Sequence, residues 1–551
     1  MMKKIFAVLF VLLQTLPLFS QKRPNILWLT CEDISPYLLA YGDSTANTPN
    51  LDRLASESKI YTNAFAVVPV CAPSRSAIIT GMYPTSIGTM HMRTAKDIMG
   101  WGKRDYSGKS NAKDINGDNV PFYSAVIPPY VKCFTEYLRK AGYYCTNNYK
   151  TDYQFAAPVS AWDENNPNAH WRHRAKGQPF FAVFNYNETH ESKIWKFKSK
   201  PQTVSPDSVP LPPYFPDDSV VRQDVARNYS NIELLDKRIG QRLKELEEDG
   251  LLDNTIIFFF SDHGGPLPRG KRLSYDSGLK TPLFVRIPDN LKQEFRGELV
   301  SFVDLAPTVL SLAGVNIPEY MQGRAFLGKE KEPAERKYIF ASGDRFDEFT
   351  DRIRVVRDKR FLYVRNYHPE LPSYKDIRYR KQMDMMRRLL LLNSLGKLNR
   401  DQNYWFRIKK TPEEFYDCKT DPFNLHNLIY DTGYTAKISE MRKAMDDWLA
   451  ATGDMGALPE KQMFLQMWPG GIQPVTGKPV IKTEGKTTVK LFCNTKGASI
   501  AYILSEKDIS PDLDSGWKLY YKPLKIKKGQ ILYVVAQRIG FKESEIVIKH
   551  F

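Results

Sequence analysis

A short segment, residues 70–75, brings several reactive side chains together just before a predicted helix. Cys71 is followed by Pro73, Ser74 and Arg75, and an apolar helical run then begins. A helix N-terminus beside an arginine binds anions, because free main-chain N–H groups and the guanidinium both donate to oxygen atoms. Cys71 is therefore a candidate nucleophile, or a residue that is modified into one. The alternative is a buried structural cysteine before an ordinary helix.

Two apolar runs end in side chains that bind metals. Residues 25–30 precede Glu32 and Asp33, and residues 255–261 precede Asp262 and His263. In open α/β sheets, sites form at the carboxyl ends of strands, where these groups would converge. The oxygen-rich set favours Ca²⁺, or Mg²⁺, over Zn²⁺. Either pair alone is a weak indication, because an acidic pair after a strand is commonly a helix cap.

The elements that must position these residues alternate along the first half of the chain. Runs 180–186 and 255–261 are apolar on both faces and predict central strands, with a long amphipathic helix between them at 220–248. This alternation predicts an α/β fold with a mostly parallel sheet covered by helices. Short strands between charged turns beyond residue 335 predict a small antiparallel sheet. Regular alternation near the C-terminus predicts a β-sandwich.

The pattern predicts five segments. They are a signal peptide (1–21), an N-terminal α/β domain (22–335), a C-terminal subdomain (336–455), a linker rich in Pro and Gly (456–481) and a β-sandwich module (482–551). Lys3 and Lys4 followed by a short apolar run are typical of a secretory signal peptide. We expect a secreted or periplasmic protein with no membrane span in the mature chain. Because the linker is short, we expect the module to pack on the α/β domain; the alternative is that it binds glycan.

The composition indicates a basic globular protein. The net charge is +17 at pH 7, and removal of Lys3 and Lys4 with the signal peptide leaves +15 (17 − 2). In an exported protein a basic surface suits an anionic polysaccharide through electrostatic attraction and counterion release, and we expect no nucleic-acid partner. The alternative is that the charge only confers solubility.

The order of these motifs resembles the type I sulfatase family. The acidic pair after the first strand is followed by Thr-Pro-Asn-Leu-Asp-Arg-Leu-Ala (48–55), Cys-x-Pro-Ser-Arg-Ser (71–76), Thr-Gly-x-Tyr-Pro (80–84) and Ser-Asp-His-Gly (261–264). The resemblance covers residues 23–449 and implies an alkaline-phosphatase-like fold: a large mixed sheet between helices and a small antiparallel C-terminal subdomain. Residues 31–35 and 148–153 resemble the subgroup that contains heparan N-sulfatases and ulvan sulfatases.

The resemblance also implies a role for each matching residue. Cys71 would be converted by a maturation enzyme to formylglycine (3-oxoalanine), whose hydrate attacks sulfur. The implied metal ligands are Glu32, Asp33, Asp262, His263 and modified Cys71. The implied catalytic residues besides Cys71 are Arg75, Lys150 and Lys271, which contact the sulfate or the nucleophile, and His190, which protonates the leaving oxygen.

Two positions depart from the family pattern. Glu32 stands where many relatives have Asp, and Asp152 stands where the family's Gly-Lys-Trp-His block has its histidine. His91 could fill the place of that missing histidine, so we predict that His91 and Asp152 bind substrate. His368 and Arg345 are further candidates for sugar contacts; a structural turn and a solvated loop are the alternatives.

The sequence therefore predicts an exported, Ca²⁺-dependent sulfatase that acts on a sulfated carbohydrate, either ulvan or a glycosaminoglycan such as heparan. One alternative is a phosphoryl-transfer hydrolase of the same superfamily, which would need a Ser or Thr nucleophile and ligands for a second cation. Another is a glycan-binding protein without activity, which would result if Cys71 were never oxidised.

Overall fold

A large mixed sheet forms the centre of the protein in the computed structural model, which describes residues 23–485 and 487–551. The predicted signal peptide lies outside the described residues. The seven strands run in the spatial order β3-β4-β1-β5-β6-β2-β7, with β6 antiparallel to both neighbours and the other pairs parallel. They are β1 (Asn25–Cys31), β2 (Ser58–Phe65), β3 (Tyr144–Asn148), β4 (Phe180–Tyr186), β5 (Thr255–Ser261), β6 (Leu283–Arg286) and β7 (Glu294–Ser301).

The central strands are buried on both faces, as their continuous apolar runs predict. On β1, Ile26 and Trp28 point into one core cluster, while Leu27 and Leu29 point into the cluster on the other face. Strand β5 divides its side chains in the same way. Because successive side chains of a strand alternate between faces, a run without polar residues requires a covering layer on each side.

Helices supply those two layers. The longest, Ser219–Glu248, has 30 residues and begins where the Asp218 side chain accepts a hydrogen bond from the Val220 N–H, matching the helix predicted at 220–248. In chain order the helices are α1 (Pro49–Ser56), α2 (Cys71–Thr80), α3 (Pro84–Ile87), α4 (Phe134–Lys140), α5 (Ser192–Lys196), α6 (Ser219–Glu248), α7 (Asp276–Leu279), α8 (Leu305–Leu312), α9 (Asp384–Ser394), α10 (Arg400–Asn403), α11 (Thr435–Thr452) and α12 (Glu460–Met467).

A second, antiparallel sheet lies beside the first, with strand order β11-β10-β9-β8. Its strands are β8 (Ile339–Gly343), β9 (Ile353–Arg357), β10 (Phe361–Asn366) and β11 (Glu413–Asp417). Val356 and Tyr363 of this sheet and Met441 of α11 share a core cluster with Cys71 and Ala77 of α2. The small sheet therefore supports the helix that carries the candidate nucleophile.

The segment predicted as a linker contains an ordered helix. α12 buries Met463, Phe464 and Met467 in a cluster with Trp468 and Met90. Helix α12 is thus part of the larger α/β unit. Extended chain connects it to the C-terminal module only after residue 471. The physical reason is the apolar i, i+1, i+4, i+5 spacing, which gives α12 a face to bury.

The C-terminal module consists of two small antiparallel sheets, β12-β13-β16 and β15-β14-β17-β18. Their strands are β12 (Val480–Glu484), β13 (Thr488–Phe492), β14 (Ser499–Ser505), β15 (Lys518–Leu519), β16 (Leu524–Lys525), β17 (Ile531–Gln537) and β18 (Val547–His550). Trp517 and Tyr533 belong to the same core cluster as Phe134 and Leu138 of α4. The module therefore packs on the α/β domain. Among the described residues, no helix combines the length and apolar character that crossing a membrane requires.

Candidate active site

The carboxyl ends of the parallel strands bring the predicted metal ligands together. Glu32 and Asp33 follow β1, and Asp262 and His263 follow the adjacent β5. Nε2 of His263 lies 3.0 Å from Oδ1 of Asp33 and 3.7 Å from Oδ1 of Asp262. All four residues are at most 3% exposed. Adjacent parallel strands thus produce the convergence that the sequence predicts.

Cys71 is the first residue of α2, and its sulfur lies at the centre of this group. The Sγ atom is 3.4 Å from Nε2 of His263 and 3.9 Å from carboxylate oxygens of both Glu32 and Asp33. Every residue of α2 is buried, and Cys71 has no exposed surface. The candidate nucleophile is therefore held rigidly against the candidate metal ligands.

Two buried lysines balance the charge of the carboxylates. Nζ of Lys271 donates to both oxygens of Asp33, at 2.8 and 2.9 Å, and lies 3.3 Å from Sγ of Cys71. Nζ of Lys150 donates to Oε2 of Glu32 at 2.7 Å and lies 3.4 Å from Oδ2 of Asp152. Both predicted lysines therefore lie within the site.

The two lysines also change the acidity of the Cys71 position. Burial alone would raise the pKa of the thiol, but the charges of Lys150 and Lys271 outweigh it and lower the pKa to about 7. A nearby positive charge favours the ionised form of any acid at that position. A hydroxyl that replaced the thiol there would experience the same stabilisation of its anion.

Two of the three guanidinium nitrogens of Arg75 form hydrogen bonds to described side chains. Its Nε donates to Asp262 at 3.0 Å, and its Nη1 donates to the side-chain oxygen of Asn185 at 2.7 Å. The remaining Nη2 is buried and has no hydrogen-bond partner among the described residues. A buried, unpaired donor is costly, so the arrangement is suited to an anionic ligand that accepts a hydrogen bond from it.

His190 follows β4 and is oriented by the turn that leads into α5. Its Nδ1 accepts a hydrogen bond from the Ser192 N–H at 3.2 Å, so in the neutral ring the proton resides on Nε2. Nε2 is 3.7 Å from Oε2 of Glu32. The N–H of His190 is therefore directed toward the cluster around Cys71.

The side chains that face one another at this edge fit a divalent cation. Atoms of Glu32, Asp33, Cys71 and His190 lie within 4.8 Å of one another, as do those of Cys71, Asp262 and His263. Nδ1 of His263 lies 2.9 Å from the Gly264 carbonyl oxygen, to which it can donate, leaving Nε2 as the lone-pair nitrogen toward the cluster. Three carboxylates and one imidazole make an oxygen-rich set that matches Ca²⁺ or Mg²⁺.

Three charged residues of the site escaped the sequence reasoning. Glu191 pairs with Arg272 through two hydrogen bonds of 2.7 and 2.8 Å and lies 3.5 Å from Nζ of Lys271. Arg93, whose φ of 62° is left-handed, donates to Asp152 at 3.1 Å. The only signal in the sequence was their position near predicted site residues. Glu191 directly follows His190, Arg272 directly follows Lys271, and Arg93 lies two residues after His91.

The predicted sugar-binding residues divide into two groups. Asp152 lies beside Lys150, within the site. Arg345 is 1% exposed, and its guanidinium donates to Glu460 of α12 and to the main-chain oxygens of Met92 and Asp347. We therefore correct its role from substrate contact to structural ion pair, because its donors are used inside the protein.

The two histidines predicted to contact sugar, His91 and His368, lie outside the Cys71 cluster. His91 is buried, accepts the Arg345 main-chain N–H at 3.3 Å, and has its pKa lowered by burial. Its Nε2 has no partner among the described residues, so a substrate contact by His91 remains a prediction. Nδ1 of His368, beyond the end of β10, lies 3.2 Å from Oε1 of Glu370.

The C-terminal module reaches the turn that carries Lys150. One oxygen of Asp514 accepts hydrogen bonds from Nε1 of Trp101 at 3.0 Å and from Nδ2 of Asn166 at 2.9 Å. The loop of Trp101 pairs with the Lys150 turn, since the Gly100 N–H bonds to the Tyr149 carbonyl and Met99 bridges Lys150. The loop of Asn166 meets the same turn, because Asn165 accepts a hydrogen bond from Asn147 at 2.7 Å. A single module carboxylate thus joins the two loops that enclose Lys150.

A buried cysteine among metal-type ligands, two lysines and a free arginine nitrogen, at the carboxyl edge of a mixed sheet, defines a hydrolase site for a tetrahedral oxyanion ester. The sulfatase family profile matches residues 24–315, more than half of the chain. The profile described as N-sulphoglucosamine sulphohydrolase, C-terminal, matches residues 269–387. The chain belongs to the sulfatase family and is an enzyme of that class.

Individual relatives agree with this assignment. The chain is 47% identical to an ulvan-active sulfatase of Formosa agariphila, over 96% of this chain and 91% of the relative. It is 25% identical to the human N-sulphoglucosamine sulphohydrolase, over 80% of this chain and 93% of that protein. A solved structure described as a complex with its substrate D-glucosamine-2-N,6-O-disulfate matches with a TM-score of 0.54 and 19% identity, covering 78% of this chain and 98% of that one. The predicted alkaline-phosphatase-like sulfatase fold is confirmed.

Proposed function

We propose that this protein is an exported sulfatase that releases sulfate from ulvan or its oligosaccharides. The observation that carries the reaction class is the position of Cys71, 3.3 Å from Nζ of Lys271 and 3.4 Å from Nε2 of His263. The proposed substrate is supported by the similarity to the ulvan-active relative, which matches the chain nearly end to end. Glycosaminoglycans such as heparan are the second candidate, supported by the C-terminal profile of the N-sulphoglucosamine enzyme.

In the proposed reaction, formylglycine made from Cys71 supplies a hydrated aldehyde as the nucleophile. Glu32, Asp33, Asp262 and His263 would hold Ca²⁺, which would supply positive charge next to the sulfate oxygens. Lys150, Lys271 and the free nitrogen of Arg75 bind the negative oxygens and stabilise the charge that develops on them. The Nε2–H of His190 donates a proton to the oxygen or nitrogen that leaves the sulfur. The surrounding buried side chains exclude bulk water from these groups.

Removal of the metal is expected to lower both stability and activity. Without a cation, the buried carboxylates Glu32, Asp33 and Asp262 lie close together, and only the surrounding cationic side chains of the described residues balance their charge. Addition of Ca²⁺ to chelator-treated protein should raise the unfolding free energy by about 2.7 kcal/mol at a free concentration about 100 times the Kd. Thermal unfolding with and without Ca²⁺ measures this rise, and the Asp262→Asn variant should show a smaller one. Full activity and an unchanged Tm after chelation would count against the metal site.

Replacement of His190 should affect substrates according to their leaving groups. We expect His190→Gln to lower kcat/KM on a sugar sulfate about 10²-fold, because the departing sugar oxygen needs a proton. The loss should be much smaller on 4-nitrophenyl sulfate, whose phenolate leaves without one. Parallel kinetics on the two substrates test this difference, with His426→Gln, an exposed histidine near Asp421, as the matched control. Equal losses on both substrates would show that His190 is not the proton donor.

The experiment that tests the function is sulfate release from a panel of ulvan, heparin and chondroitin sulfate oligosaccharides. Peptide mass spectrometry should first confirm formylglycine at position 71, and mass detection then identifies the desulfated product. We expect loss of sulfate from ulvan oligosaccharides. Release only from heparin would move the assignment to glycosaminoglycans, and no release from any member by modified, Ca²⁺-loaded protein would refute both substrates.

A further inference from the structure

A cationic surface begins three residues after His190. Residues 193–200 carry the motif Lys-Ile-Trp-Lys-Phe-Lys-Ser-Lys, which spans most of the short helix α5 and the turn that follows. Lys196 and Lys200 are exposed, while Lys193 and Trp195 are half-buried. Together with Tyr379, which is 37% exposed, these four side chains form what we call the cationic ledge.

The ledge is attached rigidly to the active site. The Lys193 N–H donates to the His190 carbonyl at 2.7 Å, and the Ser192 N–H donates to the His190 ring. The Trp195 and Tyr379 rings contact edge to face, with centroids 5.1 Å apart. The proposed proton donor and the ledge therefore belong to one fixed turn.

The lysines of the ledge lack acidic partners. Among the described residues, no carboxylate lies within 4.0 Å of Lys193, Lys196 or Lys200, whereas the intervening Lys198 pairs with Asp384. The ammonium groups of Lys193 and Lys200 instead lie 4.8 and 3.6 Å from the centroid of the Phe197 ring. Three uncompensated cations along one short segment produce a positive potential beside the site.

Residues of the ledge interact electrostatically with charged residues of the active site. Burial and the neighbouring Lys196 lower the pKa of Lys193, while Glu188 and the metal-type ligand Glu32 act in the opposite direction. The pKa of Tyr379 is raised, first by burial and then by Glu191, with Lys271 and Arg93 opposing. Both sides of the ledge therefore lie within electrostatic range of the site.

We propose that the cationic ledge binds the anionic sugar residues that adjoin the sulfated sugar being hydrolysed. Carboxylates or further sulfates of the chain would meet Lys193, Lys196 and Lys200, and the flat rings of Trp195 and Tyr379 would cover the apolar face of a sugar. This inference rests on the proposed function and adds to it a preference for oligosaccharides over small sulfate esters. No lysine of the ledge takes part in bond breaking.

The test compares two double variants that remove the same charge. Lys193→Gln/Lys196→Gln neutralises the ledge. Lys292→Gln/Lys329→Gln neutralises two exposed lysines at the amino ends of the parallel strands, away from the site: Lys329 lines a cavity with Arg23 and Pro24 before β1, and Lys292 precedes β7. Affinity for ulvan oligosaccharides, at several salt concentrations, and kcat/KM on long oligosaccharides and on 4-nitrophenyl sulfate are measured for each.

We expect the ledge variant to bind ulvan oligosaccharides about tenfold more weakly and with a shallower salt dependence, since two charge contacts are lost. Its kcat/KM should fall about tenfold more on long oligosaccharides than on 4-nitrophenyl sulfate. An equal weakening of binding in the control variant, or equal losses on both substrates, would overturn the proposal. A wild type that binds ulvan but releases no sulfate would refute the proposed function alone, because the binding measurement still tests the ledge.

Discussion

Cys71→Ala should abolish sulfate release while leaving the fold intact. The alanine retains the helix start of α2 and removes only the sulfur, or the oxygen that replaces it after modification. Loss of a nucleophile that acts together with Lys271 and His190 is expected to reduce kcat at least about 10³-fold. Sulfate release under saturating ulvan oligosaccharide measures the loss, and circular dichroism with thermal unfolding checks the fold.

The matched control for this variant is Cys145→Ala. Cys145 is equally buried, on β3 of the same sheet, but no charged side chain of the site contacts it. Its thiol pKa is raised well above the ordinary value by burial, so it has no tendency to ionise. Cys145→Ala should keep nearly full activity per folded molecule. Substantial activity in Cys71→Ala would remove Cys71 from the mechanism and with it the proposed modification.

Lys271→Met should cause the second large loss. Lys271 is the only described side chain that donates to both oxygens of Asp33 and also contacts Sγ of Cys71. Removal of one positioned donor from a buried oxyanion site commonly lowers kcat by about 10²–10³-fold. The variant should also leave Asp33 with less compensating charge: burial raises its pKa, and Lys271 is the main charge that lowers it.

Two measurements separate the catalytic and structural effects of Lys271. Tm should fall most in the absence of Ca²⁺, because a bound cation replaces part of the missing positive charge near Asp33. Lys410→Met is the control, since Lys410 is also buried and pairs with Asp351 at 2.8 Å, away from the site. If both variants lost stability and only Lys271→Met lost activity per folded molecule, the catalytic role would be supported. Equal activity in the two would contradict it.

Short-range patterns were sufficient to predict the centre of the site. The strands that end at Cys31 and Ser261 have uninterrupted apolar runs, 26–29 and 256–260, so their burial and the convergence of the polar residues after them follow from the rules of α/β sheets. Cys71 and Arg75 lie four residues apart on one helix, where spacing fixes their relation. The roles of Lys150, His190 and Lys271, in contrast, came from family resemblance, because each lies on a separate loop.

Long-range contacts account for what the sequence did not predict. Arg345 looked free to bind a sugar, because its ion-pair partner Glu460 is 115 residues later in the chain. Glu460 itself was assigned to a linker, since the nearby Pro and Gly residues concealed the apolar spacing of α12. Arg272 and Glu191 pair across 81 residues, so neither sequence neighbourhood indicates that the two charges neutralise one another.

The complete burial of Cys71 has a consequence for the modification that we propose. Every residue of α2 is buried, the small antiparallel sheet packs against its side, and the sulfur is enclosed by charged groups. An enzyme that oxidised this thiol would have to bind the peptide around residue 71, which is buried in the folded protein. Conversion to formylglycine would therefore precede folding and compete with it in time. Chains that fold first would become stable molecules that no later supply of the maturation enzyme could activate.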